Sequence, residues 1–269
     1  MLNFLKDKLR HLNFLRKVYW KIRNLNPILL FKKFKIKSSF SDEKFFINIG
    51  GFIFLKKDWR VIEYVSEYYP LSEYLIDYNI DLSKKPILPI EDNMVDLVYS
   101  SHTYEHILLE NALANFKEVY RIMKKDGIFR IVVPDMNLVW NELKNNNTQF
   151  LNYVGKLESE SPLEFLLNYF AHGREVSESA ENDFLTYAPT DFFQKYELKA
   201  IVDEENHSFE NHIGWFNYEK LKNLLVEVGF SENKIYRSEY LCSVSNEMRD
   251  PKFFDQTIPK ASLFVECIK

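Results

Sequence analysis

Three side chains that often take part in catalysis lie within five consecutive positions of the sequence. They are His102, Glu105 and His106, at positions i, i+3 and i+4. A helix would place all three on one face, so we expect them to act together. An imidazole beside a carboxylate can accept a proton near neutral pH, can help to bind a divalent ion, or can cap a helix. The residues alone leave these three interpretations open.

The same spacing, His-x-x-Glu-His, is also the signature of inverted zinc proteases. Here it follows directly on residues 95–101, an apolar run with the pattern of a buried strand, and no matching acid is evident downstream. These features disfavour a protease. Three further histidines could supply a base instead, namely His172, His207 and His212. After His102 and His106 we favour His212, which lies within Asn-His-Ile-Gly-Trp-Phe.

Two short apolar runs near the start of the chain indicate a ligand-binding loop. The first run, 45–49, leads into Gly50 and Gly51, whose missing side chains let the backbone turn sharply and approach a ligand. The second ends in Glu63, whose carboxylate can accept hydrogen bonds from a ribose diol. Runs of this kind are typical of buried parallel strands. Together they predict a nucleoside-type cofactor at the carboxyl edge of a sheet.

The rest of the chain alternates between strand and helix patterns. Strand patterns cover 75–81, 95–101, 128–133, 234–238 and 262–268, and helical patterns cover 102–125 and 218–228. Long connections between the early strands predict a parallel sheet covered by helices, in an α/β fold, and the last two strands are predicted to form a hairpin. Residues from about 140 to 212 are helical and irregular, and we expect them to form an inserted lid or substrate region.

The composition excludes several classes of protein. Apolar residues make up 46% of the chain and charged residues 28%, as in ordinary globular proteins. The two cysteines, Cys242 and Cys267, form no Cys-x-x-Cys pair, so we expect neither a disulfide framework nor a zinc ribbon. No apolar run approaches the roughly 20 residues of a membrane span. No signal-peptide core follows the basic start. We therefore expect a cytoplasmic protein.

Positive charge is concentrated in a basic arm at residues 1–37. The arm holds 11 Lys or Arg and one acid, whereas the remainder of the chain is acidic. Its apolar residues recur at steps of three and four, which predicts an amphipathic helix, with Pro27 at its end or at a bend. Such a helix could pack on the acidic body or on a partner subunit, or lie on the inner, anionic face of the membrane. Nucleic acid is disfavoured because no recognised binding motif accompanies the charge.

The most specific pattern spans residues 88–106, Leu-Pro-Ile-Glu-Asp-Asn-Met-Val-Asp-Leu-Val-Tyr-Ser-Ser-His-Thr-Tyr-Glu-His. Residues 119–127 follow as Val-Tyr-Arg-Ile-Met-Lys-Lys-Asp-Gly. These stretches resemble the "LPF-DNSVDLVYSSHVLEH" and "YRVLKPGG" patterns of class I S-adenosylmethionine (SAM)-dependent methyltransferases, in particular the type 11 group. The resemblance runs from about residue 45 to 135 and returns weakly from 211 to 269. It implies a Rossmann-like, seven-stranded, mostly parallel sheet with one antiparallel strand and helices on both faces.

The resemblance also implies a domain organisation and a set of cofactor-binding residues. The methyltransferase domain would span 41–269, after a helical extension at 1–40. Nine residues would contact SAM: for the methionine part Asn48, Gly50 and Gly51, for the ribose Glu63, for the adenine Tyr64, Asp81 and Leu82, and at the end of the fourth strand Ser101 and His102. The family normally has Gly-x-Gly in the first loop, and Phe52 replaces the second glycine here. A displaced or weakly bound cofactor therefore stays open.

The expected function is SAM-dependent methyl transfer to oxygen of a small molecule. The catalytic candidates are His102, Glu105, His106 and His212. Methyltransferases that this group resembles often serve surface-polysaccharide assembly, which implies a sugar, a sugar nucleotide or a phosphoramidate precursor of capsule as acceptor. Transfer to a hydroxyl is helped by a base near neutral pH, and imidazole suits that role.

Three alternatives accompany this expectation. The first alternative is a divalent ion bound at residues 102–106. Ubiquinone-pathway and small-RNA O-methyltransferases resemble the sequence there and hold a metal through Glu-x-x-Glu-His. In this chain His102 replaces the first Glu. A binding or scaffold protein without catalysis is another, favoured by Phe52. A nicotinamide dehydrogenase is the third, and it is disfavoured because the first loop lacks Gly-x-Gly-x-x-Gly. The sequence does not set the oligomeric state.

Overall fold

The computed structural model describes residues 27–37, 40, 43–51, 53–65, 75–84, 86–171, 176–197 and 211–269. The strands are β1 Phe46–Ile49, β2 Trp59–Glu63, β3 Tyr78–Asn79, β4 Val95–Ser101, β5 Met123–Pro134, β6 Ile235–Ser238 and β7 Ser262–Ile268. The helices are α1 Pro27–Lys37, α2 Leu109–Ile122, α3 Met136–Lys144, α4 Thr148–Tyr153, α5 Pro162–Phe170, α6 Glu178–Thr186, α7 Pro189–Tyr196 and α8 Tyr218–Val228.

The seven strands form one sheet in the order β3-β2-β1-β4-β5-β7-β6. Neighbours from β3 to β5 pair in parallel, whereas β7 runs antiparallel to both β5 and β6. The predicted sheet with one antiparallel strand and the predicted closing hairpin are both confirmed. The strand order reverses between β1 and β4, and at such a point parallel sheets open a crevice at the carboxyl ends of their strands.

The strands β1, β4 and β7 are buried on both faces along most of their length, which explains their largely apolar sequences. In β1, Ile47 and Ile49 pack with residues of α2 and α8, while Phe46 points to the other face. That second face carries aromatic residues from connecting segments, including Phe54 and Phe254. The β1 strand therefore runs through the centre of the core, and its carboxyl end is held firmly in place.

A buried ionic network fixes the long connection between β6 and β7. Arg130 on β5 is fully buried, as are its partners Asp255 and Glu266. Its guanidinium donates to both carboxylates, at 2.6 Å and 3.0 Å, and to the carbonyl oxygen of Glu239 at 2.8 Å. Removing one member of such a network leaves a buried charge without its partner, which lowers the stability of the fold by about 3–5 kcal/mol.

The stretch predicted as one helix over 102–125 is divided in the structure. His102 has a left-handed φ of 52°, which an α-helix does not allow. A single 3₁₀ turn follows at Tyr104–His106, and α2 begins only at Leu109. The predicted stop at Lys124, Lys125 and Gly127 is also wrong, because these residues belong to β5. The prediction of a third strand at 75–81 is confirmed only for the two residues of β3.

The helices α3, α5, α6 and α7 enclose a second hydrophobic cluster. Trp140 lies at its centre, with ring centroids 4.9 Å from Phe184, 5.2 Å from Phe192 and 5.6 Å from Phe193. Trp215, which precedes α8, packs against Phe193 in the same cluster. The region predicted as a helical insertion thus has a core of its own, and the segment before α8 is anchored to it.

The described part of the basic arm packs on the acidic body. Lys33 is buried and lies 2.6 Å from Asp77, and Lys37 lies 2.9 Å from the same carboxylate. Asp77 also accepts from the backbone N–H of Val61 on β2. Helix α1 begins at Pro27, and the amphipathic helix predicted before this residue lies outside the described residues. Residues 1–26 lie outside the described part, no described helix is long and apolar enough to cross a membrane, and membrane contact stays a prediction.

Candidate active site

A cleft of about 280 Å³ opens at the carboxyl ends of the first strands, where the strand order reverses. Its size is close to the lower end of the range of roughly 300–1,000 Å³ that is usual for small-molecule sites. The lining residues are Gly50, Glu63, Tyr64, Asp81, Leu82, Ser83, His102, Thr103, His106 and Ile107. Six of the nine predicted cofactor-binding residues are in this set. Asn48, Gly51 and Ser101 are not, although Asn48 lies in β1, Gly51 follows Gly50, and Ser101 is the last residue of β4.

Gly50 contributes backbone alone to the lining of the cleft. It has a left-handed φ of 69°, and a Cβ added there would lie 2.1 Å from Oγ1 of Thr103. The Thr103 hydroxyl in turn donates to the carbonyl oxygens of Ile49 or Ser101, at 3.3 Å each. Glycine is therefore required at this position by both conformation and space. Gly51 is required for a second reason, because its Cβ would meet the buried side chain of Asn48 at 2.3 Å.

The acidic residues at the next two strand ends also face the cleft. Glu63 closes β2, and its Oε1 accepts from the backbone N–H of Tyr64 at 2.9 Å. Asp81 follows β3, and its carboxylate accepts from the backbone N–H and the hydroxyl of Ser83, at 3.0 Å and 2.5 Å. Asp81 therefore shapes its own turn as well as lining the cleft.

Two asparagines that the sequence analysis missed hold this turn from behind. Asn115 of α2 is buried and donates to the carbonyl oxygen of Leu82 at 3.0 Å. Asn111, one helical turn earlier, donates to the carbonyl oxygen of Ser83. The signal in the sequence was a pair of amides four residues apart on the apolar face of a helix, because buried polar side chains are rare unless they bond to something.

Glu105 lies at the centre of a histidine cluster beside the cleft. Its side chain is only 1% exposed, and its Oε1 lies 3.0 Å from Nδ1 of His102, 3.9 Å from Nε2 of His106 and 4.0 Å from Nε2 of His212. The rings of His106 and His212 meet edge to face, with centroids 4.8 Å apart. All four predicted catalytic residues are thus brought together, although not on one helical face as the spacing had suggested.

Backbone hydrogen bonds hold His212 in this cluster, although it lies more than 100 residues after Glu105 in the sequence. The N–H groups of Ile213 and Gly214 donate to the carbonyl oxygen of Glu105, at 2.8 Å and 3.1 Å. His106 Nδ1 donates to the carbonyl oxygen of Asn211 at 3.1 Å. The segment before α8 therefore closes over the 3₁₀ turn. His172, His207 and Phe52 lie outside the described residues.

Hydrogen bonds fix the proton positions on two of the imidazoles. A carbonyl oxygen can only accept, so Nδ1 of His106 and of His212 must carry the proton toward Asn211 and Tyr169, the latter at 2.6 Å. In the neutral rings, each Nε2 then presents a lone pair toward Glu105. In His102 both nitrogens have partners, because Nδ1 faces Glu105 and Nε2 lies 2.9 Å from the Ser262 hydroxyl.

The charges in the cluster follow from burial and proximity. Burial alone would raise the pKa of the Glu105 carboxyl, but the neighbouring His102, His106 and His212 outweigh it and lower this pKa to about 2. Burial lowers the pKa of His212 to about 4, against the attraction of Glu105. At neutral pH the cluster therefore combines an ionised carboxylate with a neutral His212.

The cleft residues fit SAM. Gly50 leaves room for the methionine part against bare backbone, Glu63 offers a carboxylate to the ribose diol, and the turn at Asp81, Leu82 and Ser83 offers polar groups to the adenine. Tyr64 adds an aromatic wall next to Glu63. The individual contacts of the nine residues with the cofactor stay predictions.

Comparisons with known proteins agree with this arrangement. Residues 61–131 match a family model described as "Methyltransferase domain". The matched segment contains the strand ends that carry Glu63 and Asp81, and the turn that carries His102, Glu105 and His106. No curated protein matches the chain.

Several solved structures are similar to this chain at low identity. A SAM-dependent methyltransferase from Archaeoglobus fulgidus is 12% identical, with 95% of this chain and 100% of that chain covered and a TM-score of 0.42. One from Aquifex aeolicus is 10% identical, with 94% and 97% covered and a TM-score of 0.39. A third, from Thermotoga maritima and described as a possible histamine N-methyltransferase, is 13% identical, with 96% and 98% covered and a TM-score of 0.40.

These structural likenesses are too distant to identify an acceptor. The matched domain model, the strand order and the strand-end cleft with its acidic residues carry the assignment instead. On that basis the chain is a SAM-dependent methyltransferase of the class I fold.

Proposed function

We propose that the protein methylates a hydroxyl group of a small sugar, a sugar nucleotide or a phosphoramidate precursor of surface polysaccharide. The observation that carries the choice of oxygen is the cluster of Glu105, His106 and His212 at the edge of the cofactor cleft. The choice of a carbohydrate rests on the family resemblance alone. An amine acceptor has less need of such a cluster, since a neutral amine already presents its lone pair.

The residues of the chain divide the task between positioning and proton removal. When bound, SAM supplies an electrophilic methyl group, whose bond to sulfur breaks with the electron pair passing to sulfur. Gly50 and Glu63 line the cleft and would hold the cofactor. The acceptor oxygen must approach in line with the breaking bond, which is mainly a matter of orientation.

The histidine cluster lies where the acceptor's proton has to leave. His102 and His106 line the cleft, and Glu105 lies directly behind them with an ionised carboxylate. As the oxygen forms its bond to the methyl carbon, its hydrogen becomes acidic and would pass to the Nε2 lone pair of His106, whose positive charge the Glu105 carboxylate 3.9 Å away stabilises. His102 keeps the carboxylate in place, because Ser262 holds its other ring nitrogen.

A screen of capsule-precursor sugars and sugar nucleotides with methyl-labelled SAM tests the proposal. We expect label on an oxygen of one acceptor class, identified by mass spectrometry of the product. Label appearing on nitrogen or carbon would contradict the choice of a hydroxyl. The alternative, a binding or scaffold protein, predicts no label on any acceptor and, in calorimetry, no heat with SAM or its demethylated product up to millimolar concentration.

A further inference from the structure

The cluster beside the cleft contains a feature that a proton-removing group does not explain. Nε2 of His106, Nε2 of His212 and Oε1 of Glu105 all face one another, 3.9–4.0 Å from the carboxylate oxygen to each nitrogen. With Nδ1 of each ring donating to a backbone carbonyl, all three atoms are electron-pair donors. Within the described part of the chain, Oε2 of Glu105 also has no hydrogen-bond partner.

Such an arrangement is unfavourable unless something positive lies between the three atoms. A buried carboxylate costs several kcal/mol unless it is paired or hydrogen-bonded. Glu105 is only 1% exposed, and of the three imidazoles around it only His102 lies within 3.5 Å. The ligand atoms of Glu105, His106 and His212 all lie within 4.8 Å of one another, with room between them for an ion.

We propose that Glu105, His106 and His212 bind a divalent transition-metal ion. Two imidazole nitrogens and one carboxylate oxygen suit zinc, iron, cobalt or manganese better than magnesium or calcium, which prefer oxygen ligands alone. The carbonyl oxygens that accept from Nδ1 of both histidines are the usual second partners of metal-bound imidazoles, since they fix the ring and its tautomer. Three protein ligands leave coordination positions for other molecules.

His102 is a positioning residue rather than a ligand of this ion. Its Nδ1 faces Glu105 at 3.0 Å and its Nε2 contacts Ser262 at 2.9 Å, so neither nitrogen is directed at the space between the other three side chains. The Ser262 hydroxyl is itself fixed by the carbonyl oxygens of Thr257 and Ile258. His102 therefore orients the Glu105 carboxylate, and the third ligand comes from His212, far along the chain.

The role of the ion rests on the proposed function. An acceptor hydroxyl at an open coordination position would have its pKa lowered by the ion, as bound water does. With Nε2 of His106 bound to the ion, the hydroxyl proton would pass instead to water at the open side of the cleft. The oxygen would then form its bond to the methyl carbon, while the electron pair of the carbon–sulfur bond goes to sulfur.

Metal binding itself can be measured without cofactor or acceptor. Full-length protein stripped with chelator is titrated with Co²⁺ and with Zn²⁺ by calorimetry, and the visible absorption of bound Co²⁺ reports nitrogen and oxygen ligands. We expect one ion per chain. His106→Asn and His212→Asn should each weaken binding about 100-fold or more, whereas His102→Asn should weaken it about tenfold or less. Magnesium, as the comparison ion, should bind far more weakly.

A far-ultraviolet circular dichroism spectrum and a cooperative thermal transition like those of the wild type show that each variant is folded. No Co²⁺ or Zn²⁺ bound by the wild type at millimolar concentration would overturn the site. Loss of binding in His102→Asn with binding kept in His212→Asn would overturn the choice of ligands. The metal site and the proposed reaction can be contradicted separately. Methylation of a hydroxyl at a rate that chelator does not change would contradict only the role of the ion. A bound ion with label transferred only to nitrogen removes the hydroxyl acceptor alone.

Discussion

The two sides of the cleft are built in different ways. The cofactor side consists largely of backbone at strand ends, with Gly50 lying against Thr103 and the turn after β3 held by Asn115. The histidine side consists of side chains drawn from distant segments, 102–106, 211–212 and the start of β7 at Ser262. The first side depends on the shape of the main chain, and the second depends on individual atoms.

This difference predicts that substitutions on the two sides have separable effects. A change on the histidine side should reduce turnover while the cofactor still binds. A change on the cofactor side should weaken cofactor binding while turnover at saturating SAM is kept. Variants that mix the two effects would show that the two sides act as one unit.

The largest effect is expected for Glu105→Gln. This change keeps the size of the side chain and removes the charge that both the proton-transfer role and the metal role require. We expect kcat to fall by about 100- to 10,000-fold, the usual range for loss of such a group. The dissociation constant of demethylated SAM should stay within about twofold, as calorimetry can show. An equal loss of cofactor binding would contradict the separation of the two sides.

The next largest effect is expected for Gly50→Ala. The added Cβ would lie 2.1 Å from Oγ1 of Thr103 and would also require a left-handed φ of 69°, so the loop must move away from the cleft. We expect cofactor affinity to fall at least tenfold. Gly155→Ala is the matched control, because Gly155 has a φ of 87° with nothing within 4 Å of its added Cβ. The control should lose about 1 kcal/mol of stability and no cofactor affinity.

The comparison of the two sides also explains which parts could be predicted from the sequence. The cofactor side is local, because a strand, its terminal glycine or acid and the next turn are neighbours in the chain. For that reason the sequence could suggest Gly50, Glu63 and Asp81 as neighbours at one edge of the sheet, where all three line the cleft. The strand pattern of β4 and the helix α8, with Gly229 after it, were predicted with the observed bounds for the same reason.

The histidine side could be predicted only in part because its geometry is not local. The spacing of His102, Glu105 and His106 suggested a helical face, but the left-handed φ of His102 and the 3₁₀ turn group them differently. The position of His212 beside Glu105 depends on backbone hydrogen bonds from Ile213 and Gly214 to the carbonyl oxygen of Glu105, and backbone hydrogen bonds leave no pattern in the sequence. The contact of His102 with Ser262 spans 160 residues and had no signal at all.

A smaller effect, on the cofactor side, is expected for Asn115→Ala. This change leaves the buried carbonyl oxygen of Leu82 without the donor that holds the turn, which should destabilise the turn by about 1 kcal/mol or somewhat more. We expect a roughly five- to tenfold loss of affinity for demethylated SAM, with kcat unchanged at saturating SAM. Asn217→Ala, which removes a buried cap from α8, is the control: it should lower stability by about 1 kcal/mol without changing that affinity. A similar change in both variants would indicate that Asn115 supports the fold in general and not the turn.

The smallest effect concerns stability on the histidine side. Because burial lowers the pKa of His212 from 6.5 to about 4, the unfolded chain binds a proton near pH 6.5 that the folded chain does not accept. The contribution of His212 to the free energy of unfolding should therefore be nearly constant above pH 7 and should fall as the pH drops toward 4. Between pH 7.5 and pH 6 the loss is about 0.8 kcal/mol from this group alone.

Urea unfolding of chelator-treated protein at a series of pH values measures this loss. His212→Asn removes the titrating group and keeps an N–H donor for the carbonyl oxygen of Tyr169, so its stability should change about 0.8 kcal/mol less over the same interval. Parallel stability curves for the two proteins would mean that His212 is as easily protonated in the folded chain as in the unfolded one, and the lone pair assigned to its Nε2 would then be lost.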